Sequence, residues 1–465
     1  MTARRAPAGP GAEQVQDPED LDVEEVLALV NENRGPVPAA PRSVTAPKEP
    51  GERGEAAPAP ERRHHRATSW PEARAIAERA ALRAAARRTP VSVLLDGALG
   101  LVLAAPLAAL TDLPSFDTSA MDGWAVAGPG PWDVRGDGIL AGQADPGTLG
   151  DGQAVRIATG ARVPSDTTAV LRSEHGRTDD KARLYATREV AHGQDIRPRG
   201  QECRSGDQLL PAGTLVTPAV LGLAAAAGYD TLSVVPRPRV DVLVLGDELL
   251  TEGRPHDGLI RDALGPMLPP WLRALGAEVT VVRHLGDDPK TLGKALATSD
   301  ADVIVTTGGT AAGPVDHLHP TLERLGAELL VDGVEVRPGH PMLLARVQSD
   351  QHLVGLPGNP LAAVSGLLTL AEPLLRTLAA RPAPEPYAMP LQEEAHGHPH
   401  DTRLIPVVLR GDRALPLHYN GPAMLRGIAA ADALAVVPPG GVRRDHEADL
   451  LDLPWASAGV AACFT

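Results

Sequence analysis

A chain of 465 residues that is 43% apolar has material for about two to four domains and several separate cores. Its formal charge of −15, with no basic stripe interleaved with aromatics, argues against nucleic acid as the main partner. Two cysteines, Cys203 and Cys463, are too few for a zinc site or a disulfide framework and fit a reducing compartment. Aromatic residues are only 2% of the chain, so its cores must be aliphatic. Lys48, Lys181, Lys290 and Lys294 are the only lysines, and any anionic ligand must find its positive charge locally.

Residues 1–68 are dominated by Pro, Ala, Glu, Arg and Gly, a composition that cannot bury enough apolar surface to offset ordering entropy, and a disordered tail is expected there. Val23, Val26, Leu27 and Val30 interrupt it with a short amphipathic stripe. No apolar segment resembles a signal peptide and no run of about 18 uncharged apolar residues follows, so a cytoplasmic location without membrane contact is expected. Ser69-Trp70-Pro71 predicts a helix start leading into residues 72–88, and Val91 to Pro106 supplies a second apolar segment. From about 104 to 235 short apolar runs alternate with Gly/Pro/Asp turns, which predicts mostly β structure. Within it, Phe116-Asp117-Thr118-Ser119-Ala120-Met121-Asp122-Gly123 gathers two carboxylates and two hydroxyls, and Thr159-Gly160-Ala161 follows a further strand pattern.

Between about 236 and 384 the pattern becomes βαβα. Strands are predicted at Val240 to Leu245, Val279 to Leu285, Asp302 to Thr306 and His352 to Leu356, with helices over residues 262–275, after Asp288-Pro289 and after Asn359-Pro360. Such alternation implies a parallel sheet covered by helices. Each strand runs into a polar loop: Gly246-Asp247-Glu248, Gly286-Asp287-Asp288, Thr307-Gly308-Gly309 and Leu356-Pro357-Gly358-Asn359-Pro360. Ligands of open α/β sheets bind beyond the carboxyl ends of the strands, so these four loops are expected to line one crevice. Gly308-Gly309 and the Pro357 to Pro360 loop suit an anion, because a turn and a helix start leave backbone N–H groups free. Asp247, Glu248, Asp287, Asp288 and Asp316 suit a hard cation such as magnesium, which uses one or two carboxylates together with substrate phosphates. Asp288 reads as a helix cap, whereas Glu248 and Asp316 do not.

Beyond Pro382, Leu404 to Leu409 and Ala433 to Val437 predict a small β domain. His396, His398 and His400 alternate like a metal clip but lie in a Glu/Gly/Pro-rich connection with no thiol or partner cluster nearby.

In order and spacing, residues 116–125, Thr159-Gly160-Ala161, Gly246-Asp247-Glu248-Leu249, Gly286-Asp287-Asp288, Gly308-Gly309 with Asp316, Pro338-Gly339 and Leu356 to Pro360 resemble the molybdopterin molybdenumtransferase family, the MoeA/gephyrin E-domain type. The resemblance covers about residues 70–465. It implies α/β plus β architecture in several domains: an elongated linking domain (69–103 and 206–235), an inserted β domain (104–205), a parallel-sheet α/β molybdopterin-binding domain (236–384) and a C-terminal β domain (385–465). It also implies a homodimer with a cleft shared between subunits, and an activity that takes adenylylated molybdopterin and molybdate, uses Mg2+ and releases AMP. By position, Glu248, Asp287, Asp316 and Asp117 would be the acidic catalytic residues, with Glu248 and Asp316 on the metal. Thr159, Gly308, Gly309, Arg337, His340, Pro357, Gly358 and Asn359 would bind substrate, and a molybdopterin adenylyltransferase is a possible partner.

The chain departs from the family where a Lys-Pro-Gly-Lys-Pro pattern is replaced by Arg337-Pro338-Gly339-His340-Pro341 and an upstream lysine position is Gly333. Leu245, Thr168, Ala263, Leu264, Ala311 and Pro422 also replace polar or small residues. These losses keep open a weakened paralogue that binds molybdopterin or a partner subunit. Thr306 to Thr310 hints at a molybdopterin adenylyltransferase instead, against which the Asp117 loop and the C-terminal β domain argue.

Overall fold

The computed structural model describes residues 67–142, 146–310 and 317–454. The tail with its amphipathic stripe, Asp316 and Cys463 lie outside the described residues. The chain divides into two compact units, one built from residues 67–86, 238–378 and 383–454 and the other from Arg87–Arg237 with Ala379–Pro382.

The first unit is organised by a six-stranded sheet in the order Glu278–Leu285, Arg239–Leu245, Val303–Thr307, His352–Leu356, Leu343–Arg346, Glu328–Asp332. The first four strands are parallel. The expected parallel sheet is therefore extended by two antiparallel strands, because Leu343–Arg346 turns back on His352–Leu356 as a hairpin and Glu328–Asp332 pairs with its outer edge. The earliest strand, Arg239–Leu245, has its successors on opposite sides, so the chain switches direction beside it. Alternation along the strands splits the core in two. Val240, Val242, Val244, Val303 and Val305 pack with the helices Leu264–Ala274 and Pro360–Leu378. Leu243 and Ile304 face the helices Pro289–Thr298 and Leu318–Arg324.

The Pro360–Leu378 helix has the length and apolar content of a membrane span, but it is largely buried inside this unit, where a core helix needs the same composition. The Trp70–Ala85 helix lies on it through Ala73, Ala77, Ala81 and Ala84, whose small side chains permit close approach. Trp70 Nε1 donates to Thr369 Oγ1 at 3.0 Å, and Glu372 pairs with Arg74 at 3.0 Å and Arg376 at 2.7 Å.

A seven-stranded sheet completes the unit, built mainly from Thr402–Arg410, Ala433–Val437, Glu447–Asp452 and Tyr387–Pro390. It also takes in Thr68–Ser69 and Val334–Arg337. Val334–Arg337 pairs in parallel with Thr402–Arg410, placing Arg337 opposite Arg403. The second unit holds a six-stranded sheet whose members include Gly123–Val126, Trp132–Ile139 and Gln153–Ile157, with an apolar cluster on each face. A smaller sheet pairs Val91–Leu94 and Val102–Leu103 with Thr231–Val235.

One buried group makes the first unit acid-sensitive. His352 is 1% exposed, both ring nitrogens lack a hydrogen-bond partner among the described residues, and burial, reinforced by Arg346, lowers its pKa to about 4. Below the ordinary imidazole value the unfolded chain takes a proton that the folded chain refuses, so stability falls as pH drops from about 6.5 to about 4. The full effect is about 3 kcal/mol. Urea denaturation at pH 7.5 and pH 5 is expected to show about 2 kcal/mol of this loss, and His352→Leu to reduce it.

Candidate active site

The strand order places all four polar loops at one edge of the α/β sheet. Parallel strands share a carboxyl end, and hydrogen bonds tie neighbouring loops there: Gly246 N–H donates to the Leu285 carbonyl at 3.1 Å and Gly308 N–H to the Leu356 carbonyl at 2.9 Å. A Cβ at Gly286 would collide with the Asp247 carboxylate, and one at Gly358 would stand 3.7 Å from Gly308 Cα. The crevice expected at the switch point is therefore present, with Leu245, Asp287, Asp288, Gly309 and His317 lining a narrow cleft within it.

The carboxylates differ in what they do. Asp288 caps the Pro289–Thr298 helix, accepting from the Thr291 N–H at 2.9 Å, the Lys290 N–H at 3.2 Å and the Thr291 hydroxyl at 2.5 Å. Those bonds, the Thr291 hydroxyl first, hold its pKa below the usual carboxylate value. Glu248 and Asp287 have no hydrogen-bond or ion-pair partner for their carboxylates among the described residues, and Glu248 is exposed with its head folded over Gly246. Gly308 and Gly309 adopt φ of 79° and 66°, a left-handed turn open to glycine, and that turn directs the chain away from the strand end.

Arg337, His340, Pro357 and Asn359 meet in a second place, a cavity of about 400 Å³ beside the last of these loops. Two residues not singled out from the sequence, Arg403 and Asn420, line it as well. Arg337 Nε donates to Asp401 Oδ2 at 2.7 Å, and Arg403 donates to Asn420 Oδ1 at 3.3 Å. His340 Nδ1 bonds the Val334 carbonyl at 2.8 Å. Gly358 lies in the same loop. The amides of Leu361 and Ala362, the first available in the helix that follows, already donate to the Pro422 carbonyl at 2.9 and 3.2 Å. His396, His398 and His400 form no metal-holding group, since no cluster of three or more His, Cys, Asp or Glu that could hold an ion occurs among the described residues.

In the second unit the Asp117 loop and the Thr159 loop come together. Ser119 N–H donates to the Ala161 carbonyl at 3.0 Å and Gly160 N–H to the Ser119 carbonyl at 2.8 Å. Thr159 donates both its N–H and its hydroxyl to Asp122 Oδ1, at 2.7 and 3.1 Å, and the Thr159 N–H is the main reason the Asp122 pKa is lowered. Asp117 is exposed and accepts the Arg199 N–H at 2.7 Å. Asp122 stood in the same motif in the sequence, but its partnership with Thr159 joins separate strands. A cavity of about 620 Å³ elsewhere in this unit, between Trp132, Thr168 and Arg188, contains neither Asp117 nor Thr159.

An α/β crevice of glycines and of carboxylates that lack partners among the described residues, flanked by an arginine-lined cavity, has the make-up of a small-molecule site beyond the strand ends of an open α/β sheet. Three family models then match in chain order: the MoeA N-terminal region (domain I and II) over residues 68–228, a probable molybdopterin binding domain over 241–377 and the MoeA C-terminal region (domain IV) over 388–446. The chain belongs to the MoeA family. It is 36% identical over 371 residues to molybdopterin molybdenumtransferase 2 of Mycobacterium tuberculosis, covering 75% of this chain and 91% of that one. It is 29% identical over 382 residues to the Staphylococcus aureus molybdopterin molybdenumtransferase, covering 78% and 90%. The crystal structure of the molybdopterin biosynthesis MoeA protein from Pyrococcus horikoshii superposes with a TM-score of 0.69 at 24% identity, over 83% of this chain and 99% of that one.

The Gly308 turn provides a test of how strongly the site is built into the fold. Gly308→Ala places a Cβ at φ 79° and 3.3 Å from the Leu245 carbonyl oxygen. A loss of about 1–3 kcal/mol in urea denaturation is expected.

Proposed function

We propose that this chain is a molybdopterin molybdenumtransferase that takes adenylylated molybdopterin and molybdate, releases AMP and leaves molybdenum on the dithiolene during molybdenum cofactor biosynthesis. The observation that carries the reading is a pair of carboxylates without partners among the described residues, Glu248 and Asp287, at the strand-end loops beside the Gly308-Gly309 turn. Acidic groups tied up in caps or ion pairs serve the fold; these two are available to a ligand.

Releasing AMP means breaking a phosphoanhydride-type bond, in which charge grows on phosphoryl oxygens that must be met by cations or N–H donors. Carboxylate oxygens suit magnesium, which uses one or two of them and completes its shell with substrate phosphate and water. Glu248 and Asp316 would hold it, and it would supply charge neutralisation at the phosphoryl group. Asp287 and Asp117 act as the other acidic residues, orienting water and substrate hydroxyls, with the Thr159 hydroxyl, bonded to Asp122, on the loop that meets the Asp117 loop. The Gly308-Gly309 turn and the Pro357, Gly358 and Asn359 loop flank the place for phosphate, with the Gly308 N–H itself already given to the Leu356 carbonyl. Arg337 and His340 supply charge for the molybdate oxyanion, and Arg403 lines the same cavity. The site works in a cytoplasmic homodimer, with Asp117 of one subunit serving Glu248 of the other.

A binding role without turnover is the second reading. Its support is specific: Arg337 is already engaged by Asp401, and the Leu361 and Ala362 amides are engaged by Pro422. Adenylyltransferase activity is disfavoured by the MoeA N-terminal and C-terminal regions.

Purified protein with adenylylated molybdopterin, molybdate and titrated magnesium separates the two readings. AMP release is expected, and Glu248→Gln, which removes one anionic oxygen at constant volume, is expected to abolish it or raise the magnesium requirement at least about tenfold without altering the thermal melt. No AMP from the unmodified protein favours the binding role, and full turnover by Glu248→Gln overturns the role of Glu248. Mixing an Asp117→Ala chain with a Glu248→Ala chain is expected to restore part of the activity, since a hybrid dimer has one intact shared site. Verified hybrids with no activity would refute the shared cleft.

A further inference from the structure

The His396 to Asp401 connection touches both guanidiniums of the 400 Å³ cavity. At one end the His396 carbonyl accepts from Arg403 Nη1 at 2.6 Å. At the other, Asp401 Oδ2 accepts Arg337 Nε at 2.7 Å. The Asp401 side chain is 10% exposed, whereas that of Arg337 is 50% exposed. A bond through Nε fixes the plane of a guanidinium and leaves both Nη groups for another acceptor.

His398 holds the turn in between. Its Nδ1 accepts the Asp401 N–H at 3.0 Å and lies 3.4 Å from the His400 N–H, while its ring meets that of His400 edge-on at 6.4 Å. The same Nδ1 lies 3.4 Å from Asp401 Oδ2, so His398 shapes the turn that carries Asp401 through both its backbone and its carboxylate.

We propose that Asp401 is a positioning residue: set in place by His398, it orients Arg337 so that the Nη groups face the cavity and bind the molybdate oxyanion. This rests on the reading of that cavity as the molybdate site. The geometry makes the claim testable by sign. A carboxylate next to an anion site repels the anion, so if Asp401 acted through its charge alone, removing it would tighten binding. If it acts by orientation, removing it weakens binding in spite of the charge.

The test uses the full chain and sodium molybdate, titrated calorimetrically at pH 7.5 and low ionic strength, with thermal melts as the control for folding. Arg337→Ala is expected to weaken molybdate binding about tenfold, the scale of one charge-assisted contact. Asp401→Ala is expected to weaken it severalfold, and the double variant is expected to bind no worse than Arg337→Ala alone, because Asp401 acts through Arg337. Asp401→Asn, which keeps an acceptor and the volume, is expected to fall between wild type and Asp401→Ala and serves if the alanine variant melts early. Unchanged or tighter binding by both Asp401 variants, with Arg337→Ala weakened, overturns the positioning role. Unchanged binding by Arg337→Ala overturns the reading of the cavity itself.

Discussion

The parallel hydrogen bonding of Arg239–Leu245 to both Glu278–Leu285 and Val303–Thr307 is the constraint on which the crevice depends. A strand with parallel neighbours on both sides must send all three chains out at one edge. Because the two neighbours are its successors in opposite directions, the helices after them lie on the other face of the sheet and leave a gap between the exits. Gly246, Gly286 and Gly308 occupy that gap, where a side chain at Gly286 would strike Asp247 and one at Gly308 would crowd Leu245. Carboxylates and turns meet there as a result of topology, with no attraction between the loops needed to assemble them.

The second cavity depends on a different pairing. Val334–Arg337 and Thr402–Arg410 run parallel and set Arg337 opposite Arg403, which places two like charges side by side. Like charges repel, and the arrangement is stable because each guanidinium has its own oxygen acceptors: Asp401 for Arg337, Asn420 and the His396 carbonyl for Arg403. The C-terminal sheet thus supplies the surroundings that the paired arginines require.

The α/β strands were legible within about a residue, and His352–Leu356 and Ala433–Val437 match their predicted limits. Central strands buried on both faces read as unbroken apolar runs, so local sequence was sufficient. Asp288 announced its cap through the proline that follows. The antiparallel strands Glu328–Asp332 and Leu343–Arg346 were not singled out, and neither were Arg403 and Asn420 as cavity residues. Their roles come from pairing between segments far apart in the chain, which leaves no periodic mark in either segment. The histidine alternation was rightly set aside as a metal clip, but its structural use was not legible, since spacing says nothing of which ring atom has a backbone donor.

The oxyanion role proposed for the cavity rests on what its donors can do. A helix start normally draws anions to its free amides, yet here Leu361 and Ala362 face the Pro422 carbonyl. That contact fastens the C-terminal segment to the α/β part and removes the helix end as a donor set. Attraction for an oxyanion then falls to side chains, and the chain has no lysine after Lys294. A lysine ammonium is a point charge on a flexible stem, and three rotatable donors find an anion from many directions. A guanidinium is planar and rewards only an acceptor in its plane, so an arginine-based cavity needs its planes set in advance. The Asp401 and His396 contacts do this, and the same bonds that tie up part of each guanidinium make its remaining donors directional.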